Sequence, residues 1–400
     1  MLQEKLQGYI EEPNCGLRNF ELALEYDRIG QLASAVSFYI RAAEKSKNTE
    51  IVYNSLILAA SCFERQNRRK FTVEGLLQHA ISIFPTRPEA HFHLCRLYEQ
   101  MSKWREIVVH SSIGLASGQT DKNMLLSYPN HHGLLFYNAL GNYQIGLFED
   151  AKLKFLRLAY LEPDVDILYK TLSKNNISNV GYPDIIPYKK EMEPLFKFPF
   201  EGLETIEHNY SKHYQDMFVL AVLDGKRNGY YIEIGAGCPY ETNNTALLED
   251  SFAWKGISFD NNSTRCYEFA DQRSNTIVCK DMLNSDLKQI FDEHCIPEFV
   301  DYLQIDCDEA SLETLYKIPF DDHTFGVIQF EHDIYRLNSS IKQKATDFLI
   351  SKGYIKLVNN IAFNEKDCYE DWWVHPSLYR KEMESLSEHN FVLTYMLKVS

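Results

Sequence analysis

The chain has 400 residues, of which 45% are hydrophobic and 24% are charged, a composition typical of a soluble globular protein of about two or three domains. Its net charge of −15 comes entirely from residues 171–400, and because an acidic domain repels a polyphosphate backbone, no nucleic acid partner is expected. No run approaches the ~18 apolar residues of a membrane span, and the start lacks the basic end of a signal peptide, so we expect a cytoplasmic protein without a membrane span.

Residues 1–165 are predicted to form an all-α domain, because apolar residues recur three and four positions apart and strand-like alternation is absent. Small residues allow two antiparallel helices to pack closely, and here they recur at intervals of 7, 5 and 7 residues. The spacing occurs twice with well-matched residues and once with poorer ones: Ala23, Gly30, Ala35 and Ala42; Ala139, Gly146, Ala151 and Leu158; Cys95, Ser102, Ile107 and Gly114. The pattern resembles the tetratricopeptide repeat family, which implies a solenoid that binds a protein partner. An ordinary helical bundle with coincidental alanines is the alternative.

Residues 166–208 carry several prolines and no periodicity, and we expect them to be a connector. From residue 209 to residue 400, short apolar runs alternate with helical stretches. The runs are Tyr230–Ile234, Gly256–Phe259, Thr276–Cys279, Tyr302–Ile305, Val327–Phe330 and Tyr354–Val358. Such alternation predicts an α/β domain of the Rossmann-like class, with a doubly wound and mostly parallel sheet.

Glycine and acidic residues stand at the ends of these predicted strands, where the ligands of open parallel sheets bind. A glycine-rich turn after the first strand lets a cofactor approach the backbone, and an acid ending the second strand can accept both hydroxyls of a ribose. Another acid, after the third strand, can accept a hydrogen bond from an adenine amino group. The sequence therefore predicts a cofactor site formed by Glu233, Gly235, Gly237, Asp260 and Asp281.

Two details favour S-adenosylmethionine over a dinucleotide. The sixth position of the G-x-G-x-x-G pattern is Tyr240, whose bulk opposes the close packing that a pyrophosphate needs. S-adenosylmethionine has no phosphate, and its sulfonium and amino groups are cationic, so acidic residues suit it.

Residues 209–380 resemble the FkbM-type methyltransferases, an S-adenosylmethionine-dependent family. The matching segments are YIEIGAG at Tyr231–Gly237, VDYLQIDCDEASLETL at Val300–Leu315, Glu331-His332 and Val374-His375-Pro376. The resemblance implies methyl transfer to an oxygen, commonly the hydroxyl of a sugar or glycan-like acceptor. Such an enzyme aligns the acceptor with the methyl group and benefits from a general base nearby. The predicted catalytic residues are Asp306, His332 and His375.

The chain departs from the family pattern in its loops. Cys238-Pro239 stands where the family has a further glycine or an acidic-glycine pair in the first loop, and Asp308-Glu309 replaces the family's Glu-Gly after the fourth strand. These departures leave open a catalytically silent binding or scaffold protein. A divalent-metal-dependent enzyme is a third interpretation, because several side chains at the strand ends could bind a hard cation: Asp306, Asp308, Glu331, His332 and Asp333. The main interpretation assigns no metal ligands, and the nine cysteines form no CxxC pair.

Overall fold

The computed structural model of the chain describes residues 2–66, 69–117, 128–183, 186–337, 340–362 and 367–386. It divides into two compact units, Met1–Val180 and Gly181–Ser400. The division falls within the stretch expected to be a connector, 166–208, because a helix over Ile167–Val180 belongs to the first unit. In the part of the chain that the structure describes, no helix has both the length and the apolar character needed to cross a bilayer.

The described residues of the first unit form ten α-helices, and a π-helical segment, Arg157–Leu161, continues the ninth of them. The helices are α1 (Leu2–Glu11), α2 (Gly16–Arg28), α3 (Leu32–Lys45), α4 (Thr49–Arg65), α5 (Lys70–Ile83), α6 (Glu89–Glu99), α7 (Trp104–Ala116), α8 (Asn130–Gln144), α9 (Phe148–Leu156) and α10 (Ile167–Val180). Each helix packs mainly against its neighbours in sequence, which is the arrangement of helical repeats.

The small-residue pattern falls on pairs of helices in this unit. Its second position lies in the turn of each pair, where Gly30, Ser102 and Gly146 have φ values of +76°, +54° and +88°. Glycine adopts a positive φ without a Cβ penalty, which explains its use in two of the three turns. The alanines on either side, such as Ala23 and Ala35, are fully buried where α2 meets α3. The sequence pattern therefore marks the turns and the close helix contacts.

The second unit contains a seven-stranded sheet in the order β3-β2-β1-β4-β5-β7-β6. Its strands are β1 (Tyr230–Ile234), β2 (Lys255–Asp260), β3 (Thr276–Cys279), β4 (Phe299–Ile305), β5 (Thr324–Glu331), β6 (Ile355–Ala362) and β7 (Cys368–Val374). The first five strands are parallel, and β7 runs antiparallel to both β5 and β6. The mostly parallel sheet predicted for this part of the chain is confirmed.

Helices accompany the strands of the second unit: α11 (Gln215–Val222), α12 (Ala246–Phe252), α13 (Ser263–Gln272), α14 (Leu287–Glu293), α15 (Ser311–Lys317) and α16 (Ser340–Ser351). Aliphatic side chains of β1, β2, β4 and β5 and of α14, α15 and α16 form a shared core. The apolar runs did not predict β7, because two buried acids interrupt it. Asp371 is compensated by Lys342 and Lys356, whose Nζ atoms lie 2.9 and 2.8 Å from its carboxylate.

The strand order reverses between β1 and β4, which lie side by side at the centre of the sheet. From these two strands the chain continues to β2 on one side and to β5 on the other, an arrangement that places a crevice at the carboxyl edge. Backbone hydrogen bonds hold the crevice floor: the N–H of Asp306 donates to the carbonyl of Ile234 at 2.9 Å. The topology therefore places a ligand site between the ends of β1 and β4.

Candidate functional site

A cavity of about 370 Å³ lies at this carboxyl edge, a size suited to a small cofactor. It is lined by residues that follow four neighbouring strands, β1, β2, β3 and β4. Among them are Gly235, Gly237, Asp260, Asp281 and Asp306, which are four of the five predicted cofactor residues and one predicted catalytic residue. The structure thus brings most of the predicted site together.

The glycine loop after β1 passes against the backbone after β4. Gly235 has a φ of +87°, and a Cβ at this position would lie 1.6 Å from the carbonyl oxygen of Asp306. Only glycine permits this approach. The N–H groups of Gly235 and Ala236 donate to the carbonyl of Phe259, and that of Gly237 donates to Asp260. All three amides are thus engaged by protein acceptors.

Asp260 ends β2 with a carboxylate fixed from two sides. Its Oδ2 accepts the N–H of Gly237 at 2.9 Å, and its Oδ1 accepts the N–H of Asn262 at 2.7 Å. A carboxylate oxygen has more than one acceptor position, so each of these oxygens can still accept a hydroxyl proton. The residue lines the cavity, and its carboxylate keeps acceptor capacity for the hydroxyls of a diol.

The cavity carries charges of both signs. Asp281 caps the short turn after β3, where its Oδ1 accepts the N–H of Leu283 at 3.0 Å. Arg265 and Lys280 add positive charge to the same lining. A zwitterionic ligand with an additional cationic centre matches such a mixture better than a purely anionic one does.

Asp306 forms a hydrogen-bonded carboxyl pair with Glu331, which stands at the end of β5. Burial, and then the charge of Asp306, raises the pKa of Glu331. Burial also raises the pKa of Asp306, which makes its carboxylate a stronger base than an exposed aspartate.

The acidic side chains beyond Asp306 are neutralised by the protein itself. One oxygen of each of Asp308, Glu331 and Asp333 lies within 4.8 Å of the others. The guanidinium of Arg336 pairs with both Asp308 and Asp333. Arg336 therefore supplies the positive charge for which the sequence suggested a divalent cation. His332 is not part of the group formed by the three acids.

The structure places Glu233 behind the cavity rather than in its lining. Its side chain is fully buried and accepts three hydrogen bonds, from Asn243 at 3.1 Å, Thr245 at 3.1 Å and Ser258 at 2.7 Å. Burial raises its pKa to about 7. Glu233 was predicted to attract a cation of the cofactor, but protein donors bind both of its oxygens. In the structure it therefore holds neighbouring segments together behind the cavity.

Arg273 is the residue of this scaffold that the sequence did not reveal. Its fully buried guanidinium pairs with Glu249 at 2.7 Å and donates to the carbonyl of Pro239 at 2.8 Å. It also donates to Asn243 and Thr245, which in turn hold Glu233. Arg273 thereby fastens the glycine loop to the helices behind it. It follows α13, a helix that the strand-end pattern did not include.

The two predicted catalytic histidines lie away from the cavity. His332 is buried, with its Nε2 3.4 Å from Asp371, and burial lowers its pKa. His375 follows β7, and its main-chain N–H donates to the carbonyl of Gly326 near the start of β5. Because β7 is antiparallel, its carboxyl end lies at the edge of the sheet opposite Asp306. Neither imidazole lines the crevice.

The residues present fit S-adenosylmethionine. The cavity offers carboxylates for a ribose and for cationic groups, together with two cations for a carboxylate. A pyrophosphate would need free amide donors, whereas the three loop amides at 235–237 already donate to the protein. The engagement of these three amides therefore disfavours binding of a dinucleotide.

No protein-family model matches the sequence, and no curated protein matches it. Among solved structures, MamA is 13% identical over 44% of this chain and 87% of its own, with a TM-score of 0.32. The N-methyltransferase NodS from Bradyrhizobium japonicum WM9 is 12% identical over 40% of this chain and 94% of its own, with a TM-score of 0.26. A variant of the O-GlcNAc transferase from Thermobaculum terrenum is 10% identical over 72% of this chain and 45% of its own, with a TM-score of 0.25. Likenesses at this level carry no conclusion about function.

Proposed function

We propose that the chain is an S-adenosylmethionine-dependent O-methyltransferase of the FkbM type, acting on a hydroxyl of a sugar or glycan-like acceptor. The proposal rests on the convergence of Asp260, Asp281 and Asp306 with the glycine loop in one cavity at the centre of the sheet. When bound, S-adenosylmethionine supplies a methyl group already activated by its sulfonium. The chain itself must then hold the cofactor, align the acceptor and accept a proton.

Each lining acid has a proposed task that its surroundings support. Asp260 binds the ribose hydroxyls, since the amides of Gly237 and Asn262 fix its orientation. Asp281 meets the adenine amino group at the end of β3. Asp306 accepts the proton of the acceptor hydroxyl, and the hydrogen bond with Glu331 favours its ionised form.

Two features weigh against a catalytically silent scaffold. Pro239 and Glu309, the departures from the family pattern, are not among the residues that line the cavity. The carbonyl of Pro239 instead anchors the loop to Arg273.

In the first unit, the helix pairs support a tetratricopeptide-like solenoid that binds a protein partner.

Titration calorimetry with S-adenosylmethionine and with S-adenosylhomocysteine tests the cofactor assignment. Asp260→Asn removes a charged acceptor, and we expect about 10- to 100-fold weaker binding. The matched control is Asp321→Asn, an exposed acid that precedes β5 at the opposite edge of the sheet and should bind as the parent does. Equal affinity in both variants would contradict the site.

Methyl transfer is then assayed against nucleotide sugars and oligosaccharides. We expect Asp306→Asn to bind the cofactor and to lose turnover. Cofactor binding by the parent protein without transfer to any acceptor would support the scaffold interpretation instead.

A further inference from the structure

Two histidines and a glutamate of the first unit meet at one point. His131 and His132 stand in the first turn of α8, and Glu162 follows the π-helical segment Arg157–Leu161. One ligand atom of each residue lies within 4.8 Å of the other two. The Nε2 of His131 is 3.6 Å from the Oε2 of Glu162, and the two imidazole rings are 4.1 Å apart between centroids.

The Nε2 atom of His132 is buried and has no hydrogen-bond partner in the described part of the chain. The residue is only 8% exposed. A buried polar atom without a partner costs about 1–3 kcal/mol, and such atoms in folded proteins call for a missing ion or water. This atom belongs to a residue of the three-residue cluster, so one of the two histidines there has a buried ring nitrogen without a protein partner in the described part of the chain.

Glu162 is held in place while one of its oxygens stays available. The guanidinium of Arg157 donates to Oε1, with its Nε at 3.1 Å, and leaves Oε2 facing His131. The main-chain N–H of Glu162 donates to the carbonyl of Arg157 at 2.8 Å. Metal-binding carboxylates are commonly oriented by a second hydrogen bond of this kind, and π-helical turns are frequent at functional sites.

One helix terminus beside the cluster favours a cation. The carboxyl end of the segment Arg157–Leu161 carries the negative end of its dipole, immediately before Glu162. The carboxylate of Glu162 offsets the positive end of α8, where the two histidines stand.

We propose that His131, His132 and Glu162 form a zinc site. Two imidazole nitrogens and one carboxylate oxygen are the ligand types that zinc takes at sites with three protein ligands and an open fourth position. Magnesium and calcium prefer all-oxygen sites, so the histidines select against them. The side chain of His131 is 56% exposed, which leaves the fourth position open to solvent. A bound ion would join the start of α8 to the end of the π-helical segment.

The second unit contains an acidic cluster with which the histidine cluster can be compared. The acids Asp308, Glu331 and Asp333 form another cluster with potential ligand atoms, but they offer only oxygen, and Arg336 pairs with two of the three. In the histidine cluster, Arg157 pairs with one oxygen of a single ligand, Glu162. Zinc is therefore expected at the histidine cluster and not at the acidic one.

The test uses the full chain after removal of metal with a chelator. Cobalt(II) is titrated first, because its visible absorption reports a site of low coordination number, and zinc is then added in competition. We expect one ion per chain by elemental analysis. Glu162→Gln and His131→Ala should each weaken zinc binding about 100-fold or more. His79→Ala, an exposed histidine of the same unit, and Asp308→Asn should bind zinc as the parent does.

Circular dichroism establishes that each variant is folded. The substitutions are made at His131 and Glu162 because His132 is more deeply buried, so that its replacement would disturb the packing more. Zinc should raise the melting temperature of the parent and of both controls, but not that of the two site variants. The proposal is overturned if the parent takes up no stoichiometric ion, if the site variants bind as the parent does, or if only Asp308→Asn loses the ion.

Discussion

Replacing Gly235 by alanine tests the contact on which the candidate site is built. The added Cβ would lie 1.6 Å from the carbonyl oxygen of Asp306, far inside any allowed contact, so the backbones after β1 and β4 must separate. Gly237→Ala is the matched control. It also has a positive φ, +63°, in the same loop, but no other atom lies within 4 Å of its Cβ position.

Both substitutions place an alanine at a positive φ, but only Gly235→Ala also strains hydrogen bonds between the loops. Alanine at a positive φ costs about 1–2 kcal/mol, and this applies to both. Separating the loops in Gly235→Ala additionally strains buried backbone hydrogen bonds, namely Gly235 N–H to Phe259 and Asp306 N–H to Ile234, both 2.9 Å. Each lost bond costs about 1–3 kcal/mol. The free energy of unfolding should therefore fall by about 3–8 kcal/mol in Gly235→Ala if both bonds are lost, and by about 1–2 kcal/mol in Gly237→Ala.

Urea unfolding followed by tryptophan fluorescence measures this difference. Three of the four tryptophans lie in the second unit, and the Trp104→Phe background removes the one in the first. Calorimetric titration with S-adenosylmethionine then asks whether the displaced loop still binds the cofactor, and we expect Gly235→Ala to lose most affinity. Equal costs for the two substitutions would refute the close approach of the glycine loop to Asp306.

Three further predictions concern the second unit. Burial raises the pKa of Glu370 to about 8, so the folded form holds a proton that the unfolded chain releases near its ordinary 4.5, and stability is lost as pH rises between these values. Glu370 should contribute a fall of about 2 kcal/mol in the unfolding free energy from about pH 5.5 to 7.5, and chemical denaturation of Glu370→Gln should show a pH profile that is flatter by that amount. Arg273→Ala leaves Glu249 without its buried partner, so we expect urea unfolding to show a loss of about 3–5 kcal/mol, whereas a loss below about 1 kcal/mol would contradict the scaffold described. Residues 181–400 expressed alone should keep the cofactor affinity of the full chain in the same calorimetric titration, and loss of binding in that folded fragment would contradict the division into units.

Much of the candidate site could be predicted because strand ends are local signals. An apolar run followed by an acid marks both a buried strand and the position of its carboxyl end. Since parallel strands end at the same edge of the sheet, Asp260, Asp281 and Asp306 were predicted to converge, and all three line one cavity. The adjacent glycines carried a similar signal, because their positive φ values restrict the residue type.

The sequence by itself thus determined the helical pairs of the first unit, the strands β1 to β6 and the acids at the ends of β1 to β5, since each depends on neighbours along the chain. Tertiary structure alone decided which of these residues reach the cavity. The antiparallel course of β7 carries His375 to the opposite edge of the sheet, and three hydrogen-bond donors from distant positions occupy Glu233. Strand direction and the pairing of buried charges depend on contacts between remote segments, and residue spacing does not encode them.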